Sequence, residues 1–333
     1  MRAKGRGRTF WLAVTLLIIT AVALSVACKS QNAESKSAGA KPAETVMKAS
    51  DLDPSPAAPP APRVEGPAAF KICYDFVALG PRYVGSDGHK KAEDFIHQHL
   101  SGITVEDDAF TAKTAAGDFP MRNIIAKVPG KKDGIIVIAG HYDTNLPLKN
   151  LNFVGANDGG SNVGLMLEMA HEMKSRPNDG YSVWFLFTDG EEAMINWSAE
   201  DSVYGSKHLA QLWKQDGTAA KIKAFLLLDM VGDKDLGIFH ETNSTPWLME
   251  TVQRAAARLG YARYFNGPET PIEDDHIPFK AVGIPVADLI DLNYGFNNVY
   301  HHTTEDTMDK LSAQSLEIVG NVVYETIRAV NTH

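Results

Sequence analysis

Apolar and polar positions along this chain follow two periods, and together they predict a series of strands and helices. Continuous apolar runs bounded by glycine or turn residues indicate buried strands. These runs cover residues 134–140, 181–187, 222–228 and 286–290. Apolar residues at helical spacing predict helices. The helices cover residues 70–79, 92–100, 161–174, 206–214, 246–259 and 312–331.

Two further strands are predicted at residues 104–111 and 122–127, in a hairpin-like arrangement before the first buried run. From residue 134 onward, strands alternate with helices, which is typical of a mainly parallel sheet covered by helices. The pattern therefore predicts an α/β domain over residues 69–333, with three layers and a mixed, mainly parallel central sheet flanked by helices.

The N-terminal segment has a different pattern. Four basic residues within positions 2–8 precede an apolar run at residues 10–27, which is the order found in a secretory signal. Residues 24–28 resemble a bacterial lipobox ending at Cys28, although Ser25 stands where leucine is usual. We therefore expect residues 1–28 to be a signal peptide with a lipid-modified cysteine, the alternatives being an ordinary cleaved signal or an uncleaved anchor. Residues 29–68 are rich in alanine and proline and predict a disordered tether.

Composition narrows the classes of partner. The 333 residues are 44% hydrophobic and 22% charged, and 32 basic against 41 acidic residues give a net charge of −9. No basic run follows the N-terminus, which argues against nucleic acid and against an anionic membrane surface as partners. Membrane contact is expected only through the N-terminal anchor or signal. If Cys28 is lipidated, Cys73 has no intrachain disulfide partner and is expected to be a small buried core residue.

Polar residues cluster where the predicted strands end. They are His141, Asp143, Asp158, Glu191, Glu192, Asp229, Asp274, Asp275, His276, His301 and His302. The carboxyl ends of parallel strands share one edge of a sheet, where ligands bind. Any one of these residues alone could equally cap a helix or make a structural hydrogen bond. Carboxylates and imidazoles together, without paired cysteines, suit a catalytic zinc site.

Several short motifs resemble the M28 clan of zinc aminopeptidase-type enzymes. They are HYD at 141–143, ND at 157–158, DGEE at 189–192, LDM at 228–230 and HTTEDT at 302–307. Three more resemble the glutaminyl cyclases within that clan, which convert N-terminal glutamine to pyroglutamate. They are EEA at 191–193 with WSAEDS at 197–202, YGSKH at 204–208 and DDHIPF at 274–279. The similarity runs from about residue 70 to the C-terminus.

The resemblance implies one zinc ion, held by Asp158, Glu192 and His302. His302 is preferred over His301 because of its spacing to residues 303 and 306. Glu191 matches the general acid and base of the family. Adjacent residues at a strand end point in different directions, which favours Glu192 as metal ligand and Glu191 as proton carrier.

The remaining implied roles concern the substrate, which is a peptide or protein N-terminus bearing glutamine. Asp229 and Asp274 match the carboxylates that position the base and the substrate amine, and Trp197 matches a pocket wall, although it could be a half-buried packing residue. His301 replaces the aromatic residue that precedes the family's zinc-binding histidine, and Asp288 stands where the animal enzymes have a histidine. We place His301 with Trp197 among the substrate-binding residues.

Two other readings use the same residues. A two-zinc aminopeptidase of the clan would use His141 and Asp229 as ligands of a second metal, with Asp158 bridging and Glu191 activating a water. A tethered binding module that has lost its activity would show broken ligands, and none of the three zinc ligands is broken. The favoured reading is an exported zinc-dependent glutaminyl cyclase, anchored by lipid on the periplasmic or cell-surface side.

Overall fold

The computed structural model describes residues 63–332, and these residues form eight strands and seven α-helices. The strands are β1 (Thr104–Thr114), β2 (Gly117–Val128), β3 (Lys132–His141), β4 (Tyr181–Thr188), β5 (Ile222–Asp229), β6 (His240–Glu241), β7 (Glu269–Thr270) and β8 (Val286–Ile290). The helices are α1 (Gly66–Val77), α2 (Asp87–His99), α3 (Gly160–Lys174), α4 (Tyr204–Asp216), α5 (Pro246–Arg258), α6 (His276–Ala281) and α7 (Ala313–Val330). The predicted signal peptide, Cys28 and the tether up to residue 62 lie outside the described residues.

Six of the described strands form one mixed sheet in the order β1-β2-β4-β3-β5-β8. Strands β4, β3, β5 and β8 run parallel to one another in this sheet, whereas β2 pairs antiparallel with both β1 and β4. The predicted mixed, mainly parallel sheet is therefore confirmed. Strands β6 and β7 form a separate two-stranded parallel sheet.

Helices cover the central sheet on both faces. Side chains that alternate along β3 belong to two different cores: Ile136 and Ile138 pack with residues of α1, α3 and α7, and Val137 and Ala139 pack with residues of α4 and α6. A strand that is buried on both faces has no polar side to display, which is why its sequence is a continuous apolar run. This three-layer packing leaves the ends of the strands as the place where polar side chains can gather.

The structure differs from the sequence expectations at several places. Helix α1 begins at Gly66, before the expected start at residue 70, because Pro67 lies in the first turn, where proline needs no hydrogen-bonded N–H. Val64 is already buried, so the folded part begins before the expected end of the tether at residue 68. The β1–β2 hairpin extends well beyond the predicted strands, through polar residues on an exposed edge. Strands β6 and β7 have two residues each, too few to show a period.

Cys73 is fully buried, as the sequence predicts. Its Sγ lies 3.7 Å from the carbonyl oxygen of Ala156, and burial raises the pKa of the thiol to about 12. Within residues 63–332, no helix is long and apolar enough to cross a membrane.

A buried ion pair ties α2 to the loop that follows β4. His89 Nε2 lies 2.7 Å from Asp189 Oδ1, and Asp189 Oδ2 accepts the Arg122 backbone N–H at 2.7 Å. The His89 ring also stacks on Tyr142, with 5.3 Å between ring centroids. Burial opposes protonation of His89, but the neighbouring Asp189 carboxylate outweighs it and raises the pKa to about 9.

This pair predicts a pH-dependent stability. The folded-state pKa of His89 lies above the unfolded value, so its stabilisation is complete below about pH 6.5 and is lost as the pH rises through about 9. The difference is on the order of 3 kcal/mol, since one pKa unit corresponds to about 1.4 kcal/mol. We expect His89→Gln to lower the free energy of unfolding more at pH 6 than at pH 10, measured by urea titration. His97→Gln, on the same helix, is the control, and an equal loss at both pH values would contradict the assignment.

Candidate metal centre and active site

Three acidic and imidazole side chains meet at the carboxyl edge of the sheet. His141 is the last residue of β3, Asp229 is the last residue of β5, and Asp158 stands just before α3. His141 Nε2 lies 3.1 Å from Asp158 Oδ1 and 3.3 Å from Asp229 Oδ1. All three side chains are buried. Neighbouring parallel strands thus bring together residues that are far apart in the chain.

The segment that carries Asp158 is held by a single carboxylate. Asp306 Oδ1 accepts the Asn157 N–H at 2.8 Å, and Asp306 Oδ2 accepts the Asp158 N–H at 3.2 Å. The Tyr294 hydroxyl donates to Asp306 Oδ1 at 2.7 Å. Burial, together with the nearby Asp158 carboxylate, raises the pKa of Asp306 to about 7. This residue was visible in the HTTEDT motif, but its role depends on contacts across nearly 150 residues of chain.

A buried arginine supports the same segment from behind. The Arg82 guanidinium donates to the carbonyl oxygens of Tyr142, Val154 and Gly155, at 3.1, 2.6 and 3.0 Å. Its side chain is fully buried, and burial lowers its pKa to about 10 although Asp158 and Asp306 oppose the shift. Arg82 therefore joins the end of β3 to the loop before Asp158. No sequence pattern marks it.

The loop after β4 places Glu191 and Glu192 side by side. Asp143 accepts both of their backbone N–H groups, at 3.2 Å through Oδ1 and 3.4 Å through Oδ2. Glu192 Oε2 accepts the Asn145 side-chain amide at 2.7 Å. Its other oxygen, Oε1, lies 3.0 Å from His302 Nε2. Asp143, one of the strand-end candidates, therefore orients the loop rather than lining the pocket.

The predicted zinc ligands lie around one imidazole nitrogen. His302 Nε2 is 3.0 Å from Glu192 Oε1 and 3.3 Å from Asp158 Oδ2. Asp158 Oδ2 is buried and accepts no hydrogen bond. Burial opposes ionisation of Asp158, but His141 and His302 outweigh it and hold the pKa of this carboxyl well below its usual range. Two carboxylates and an imidazole around an unpaired buried oxygen form a donor set that fits zinc.

Asp158 also belongs to a second candidate metal cluster, which it forms with His141 and Asp229. The ligand atoms of His141, Asp158 and Asp229 all lie within 4.8 Å of one another, and those of Asp158, His301 and His302 do so as well. His141 Nδ1 is buried without a hydrogen-bond partner, 3.6 Å from Asp143 Oδ1. The two oxygens of Asp158 thus face two sets of ligands, as the two-zinc reading requires.

A cavity of about 330 Å³ opens in front of these clusters. Its polar wall consists of Asp158, Glu191, Glu192, Asp229, Glu273, Asp274, His301 and His302. Its apolar wall consists of Trp197, Met230, Ile272, Ile290 and Leu292. Apart from His141, every residue that the sequence assigned to catalysis, metal or substrate lines this cavity. The many carboxylates and the absence of lysine and arginine from this lining favour a ligand with a positive charge.

Two carboxyls of the cavity, those of Glu191 and Asp274, are harder to ionise than ordinary carboxyls. Burial raises the pKa of Glu191 well above its usual range, and the charges of Asp274 and Glu192 add to the shift while His141 opposes it. Burial also raises the pKa of Asp274 well above its usual range, with Asp229 adding to the shift. Crowded buried carboxyls of this kind are typical of groups that exchange protons at neutral pH.

Like His141 and Asp143, the strand-end candidates Asp275 and His276 do not line the cavity. His276 is fully buried behind it, with Nε2 3.4 Å from Glu241 Oε2 and Nδ1 3.6 Å from Asp288 Oδ2. Asp275 is also fully buried, and its Oδ2 accepts a hydrogen bond from the Thr188 hydroxyl. His276 begins α6 and Asp275 directly precedes it, and the Asp275 backbone N–H donates to Asp274 Oδ1 at 2.5 Å.

The loop that carries Trp197 is organised by Asp201. This carboxylate accepts the backbone N–H groups of Met194, Ile195 and Asn196, at 3.0, 2.9 and 3.0 Å. It also accepts the Tyr204 hydroxyl at 2.8 Å. Trp197 itself is 44% exposed, so the loop rather than the core holds it at the cavity.

We therefore expect Asp201→Ala to impair substrate binding. Four hydrogen-bond donors would lose their acceptor, and the loop that carries Trp197 would become more mobile. Loss of the contact with the Trp197 ring should weaken substrate binding by about 1.4 kcal/mol, which is about a tenfold rise in KM, with a smaller change in kcat. Steady-state kinetics with a peptide that has an N-terminal glutamine measures the change in KM and kcat. Glu200→Gln, in the same loop, is the control. A fall in kcat at constant KM would assign Asp201 a different role.

The comparisons with known proteins agree with this geometry. The family model described as peptidase family M28 matches residues 123–327. The glutaminyl-peptide cyclotransferase of Boiga irregularis is 30% identical over 281 residues, which cover 73% of this chain and 75% of that protein. A solved glutaminyl cyclase from an Acidobacteriales bacterium is 50% identical with a TM-score of 0.82, covering 84% of this chain and 99% of that chain. A Zn-dependent exopeptidase from Parabacteroides distasonis is 25% identical with a TM-score of 0.71, covering 82% of this chain and 100% of that chain.

Proposed function

We infer the function from the family: this chain belongs to peptidase family M28 and, within it, to the glutaminyl-peptide cyclotransferases. We propose that it converts the N-terminal glutamine of peptides and proteins to pyroglutamate and releases ammonia. The observation that carries the proposal is the convergence of Asp158, Glu192 and His302 in front of the buried Glu191, in a cavity whose lining contains no lysine or arginine.

The donor set supports a metal site at the front of this cavity. Asp158, Glu192 and His302 would hold one zinc ion. When bound there, zinc would act as a Lewis acid on the γ-carbonyl of the substrate glutamine. Asn145 fixes the second oxygen of Glu192 at 2.7 Å, and Asp306 fixes the backbone of Asp158. Such outer contacts orient ligands and raise metal affinity.

The cyclisation transfers one proton, forms one carbon–nitrogen bond and breaks another. The α-amine nitrogen of the substrate forms a bond to the carbonyl carbon (Cδ) of its own side-chain carboxamide, and the bond from that carbon to the amide nitrogen breaks. Glu191 accepts a proton from the α-amine and returns it to the departing ammonia. Its raised pKa suits both halves of this transfer. Water takes no part in the balance, in contrast to peptide hydrolysis.

The remaining cavity residues position the substrate. Asp229 and Asp274 lie on the polar wall, where they would hold the substrate amine beside Glu191. Trp197 and Ile272, with the other apolar residues of the opposite wall, would pack on the glutamine side chain and exclude water. His301 lies next to His302 on the same rim.

A direct assay separates this function from aminopeptidase activity. The purified protein is incubated with a glutamine-initiated peptide and the product is examined by mass spectrometry. Cyclisation removes ammonia and leaves every residue in place, whereas an aminopeptidase removes the first residue. Release of free glutamine without loss of ammonia would overturn the proposal and favour the two-metal reading, which the His141, Asp158 and Asp229 cluster supports.

We further propose that the protein is exported and anchored by lipid at Cys28, outside the described residues. The basic N-terminus, the apolar run and the lipobox-like ending support this proposal. Mass spectrometry of the mature N-terminus tests it, because lipid on Cys28 changes the mass of the first peptide.

A further inference from the structure

The segment that leads to His301 and His302 has an unusual backbone. Asn297, Asn298 and His302 have φ angles of 57°, 60° and 54°, in the left-handed region. Asparagine and histidine enter this region more often than most residues, but it remains uncommon for any residue other than glycine. Residues in such conformations cluster at functional sites, where the surrounding structure maintains them.

The left-handed turn at His302 has a geometric effect on its neighbour. Successive side chains of an extended chain point in opposite directions. Here the rings of His301 and His302 lie together instead, with centroids 3.8 Å apart and planes inclined by 32°. Both imidazoles therefore face the Asp158 carboxylate.

The distances from Asp158 fit two ligands of one ion. Asp158 Oδ2 lies 3.3 Å from His302 Nε2 and 3.8 Å from His301 Nε2. Two ligands of a tetrahedral zinc ion, each with a bond of about 2.0 to 2.1 Å, are separated by about 3.3 Å. A shift of about half an ångström in the His301 ring would therefore bring its Nε2 to a bonding position.

Asn298 controls which nitrogen of His301 is available. Its side-chain Nδ2 lies 3.2 Å from His301 Nδ1, and its Oδ1 is buried without a hydrogen-bond partner. A half-turn of this carboxamide places Oδ1 on His301 Nδ1. The ring then donates its Nδ1–H to Asn298, and the lone pair of Nε2 is free for a metal. Metal-binding histidines usually make such an outer hydrogen bond, and this one would also satisfy the orphaned oxygen.

We propose that His301 Nε2 is a fourth protein ligand of the ion held by Asp158, Glu192 and His302 when no substrate is bound, with Asn298 orienting its ring. The proposal rests on the metal site of the proposed function. Four protein ligands close a zinc site, whereas a catalytic site needs an open position. The γ-carbonyl of the substrate would therefore take the place of His301, which would remain as part of the cavity wall.

The test measures metal binding in the full-length protein. His301→Phe keeps an aromatic ring and removes the donor, and we expect it to weaken zinc binding by about 10- to 100-fold in a chelator competition. X-ray absorption of the zinc-loaded protein should show two imidazole ligands in the wild type and one in His301→Phe. Asn298→Gly tolerates the positive φ but removes the carboxamide, so it should also weaken binding, whereas Asn298→Asp keeps an acceptor and should not.

The outcomes separate this proposal from the proposed function. A wild-type protein that cyclises glutamine peptides and holds zinc through a single imidazole would overturn the role of His301 alone. Unchanged zinc affinity in a folded His301→Phe, with folding checked by circular dichroism, would do the same. A wild-type protein that binds no zinc would instead overturn the proposed metal site.

Discussion

Glu191→Gln should lower kcat by about 10³-fold while the protein keeps its fold and its metal. General acid and base catalysis contributes about 10² to 10⁴ in rate, and an amide cannot accept the proton from the substrate amine. The substitution is nearly isosteric, and the Glu191 backbone N–H still donates to Asp143 at 3.2 Å. The loop and the neighbouring ligand Glu192 should therefore stay in place.

Three measurements check this expectation. Cyclisation of a glutamine peptide gives kcat and KM, atomic absorption gives the zinc content, and thermal melting gives the stability. Glu200→Gln, an exposed glutamate on the same loop, should behave like the wild type. Turnover within about tenfold of the wild type in Glu191→Gln would show that another group carries the proton.

Substitutions of His302 and His141 should distinguish a one-zinc site from a two-zinc site. We expect the wild type to bind one zinc per chain. His302→Gln should lower zinc affinity by more than about 100-fold, because even the loss of an outer hydrogen bond costs a metal site about 10- to 100-fold. Cyclisation should be lost with the metal. His141→Gln should still bind one zinc per chain, with an affinity lowered by no more than about 10- to 100-fold, because His141 contacts the ligand Asp158 from outside the proposed donor set.

Equilibrium dialysis followed by metal analysis measures both variants against the wild type. His208→Gln, which removes an imidazole bonded to Asp108 outside the cavity lining, is the control. Two tightly bound zinc ions in the wild type, one of which is lost in His141→Gln, would contradict the one-zinc assignment. Together with release of free amino acids, that result would support an aminopeptidase.

The layout of the fold could be predicted because burial on both faces leaves a direct trace in the sequence. The apolar runs at residues 134–140 and 181–187 correspond to β3 and β4, and the helical periods between them correspond to the covering helices. Element ends were less predictable. The β1–β2 hairpin continues through exposed polar residues, where backbone pairing rather than an apolar pattern decides its length.

The cavity residues could be predicted for a similar reason. Glu191 and Glu192 follow a buried strand, and Asp229 ends another, so their positions in the sequence already placed them at one edge. The supporting residues could not be found this way. Arg82 acts on carbonyls about seventy residues away, and Asp306 on N–H groups about twice as far away in the chain. Such contacts depend on the completed fold and leave no local pattern.

The hydrogen bonds that hold the proposed metal ligands also bear on whether folding or metal binding comes first. Asp306 and Arg82 fix the chain around Asp158 through bonds within the protein alone, and Asp143 does the same for Glu192. In small zinc domains, folding and metal uptake are one event, because the unliganded chain has no structure. Here the polypeptide supplies its own framework, so folding and metal acquisition can occur at different times and in different compartments.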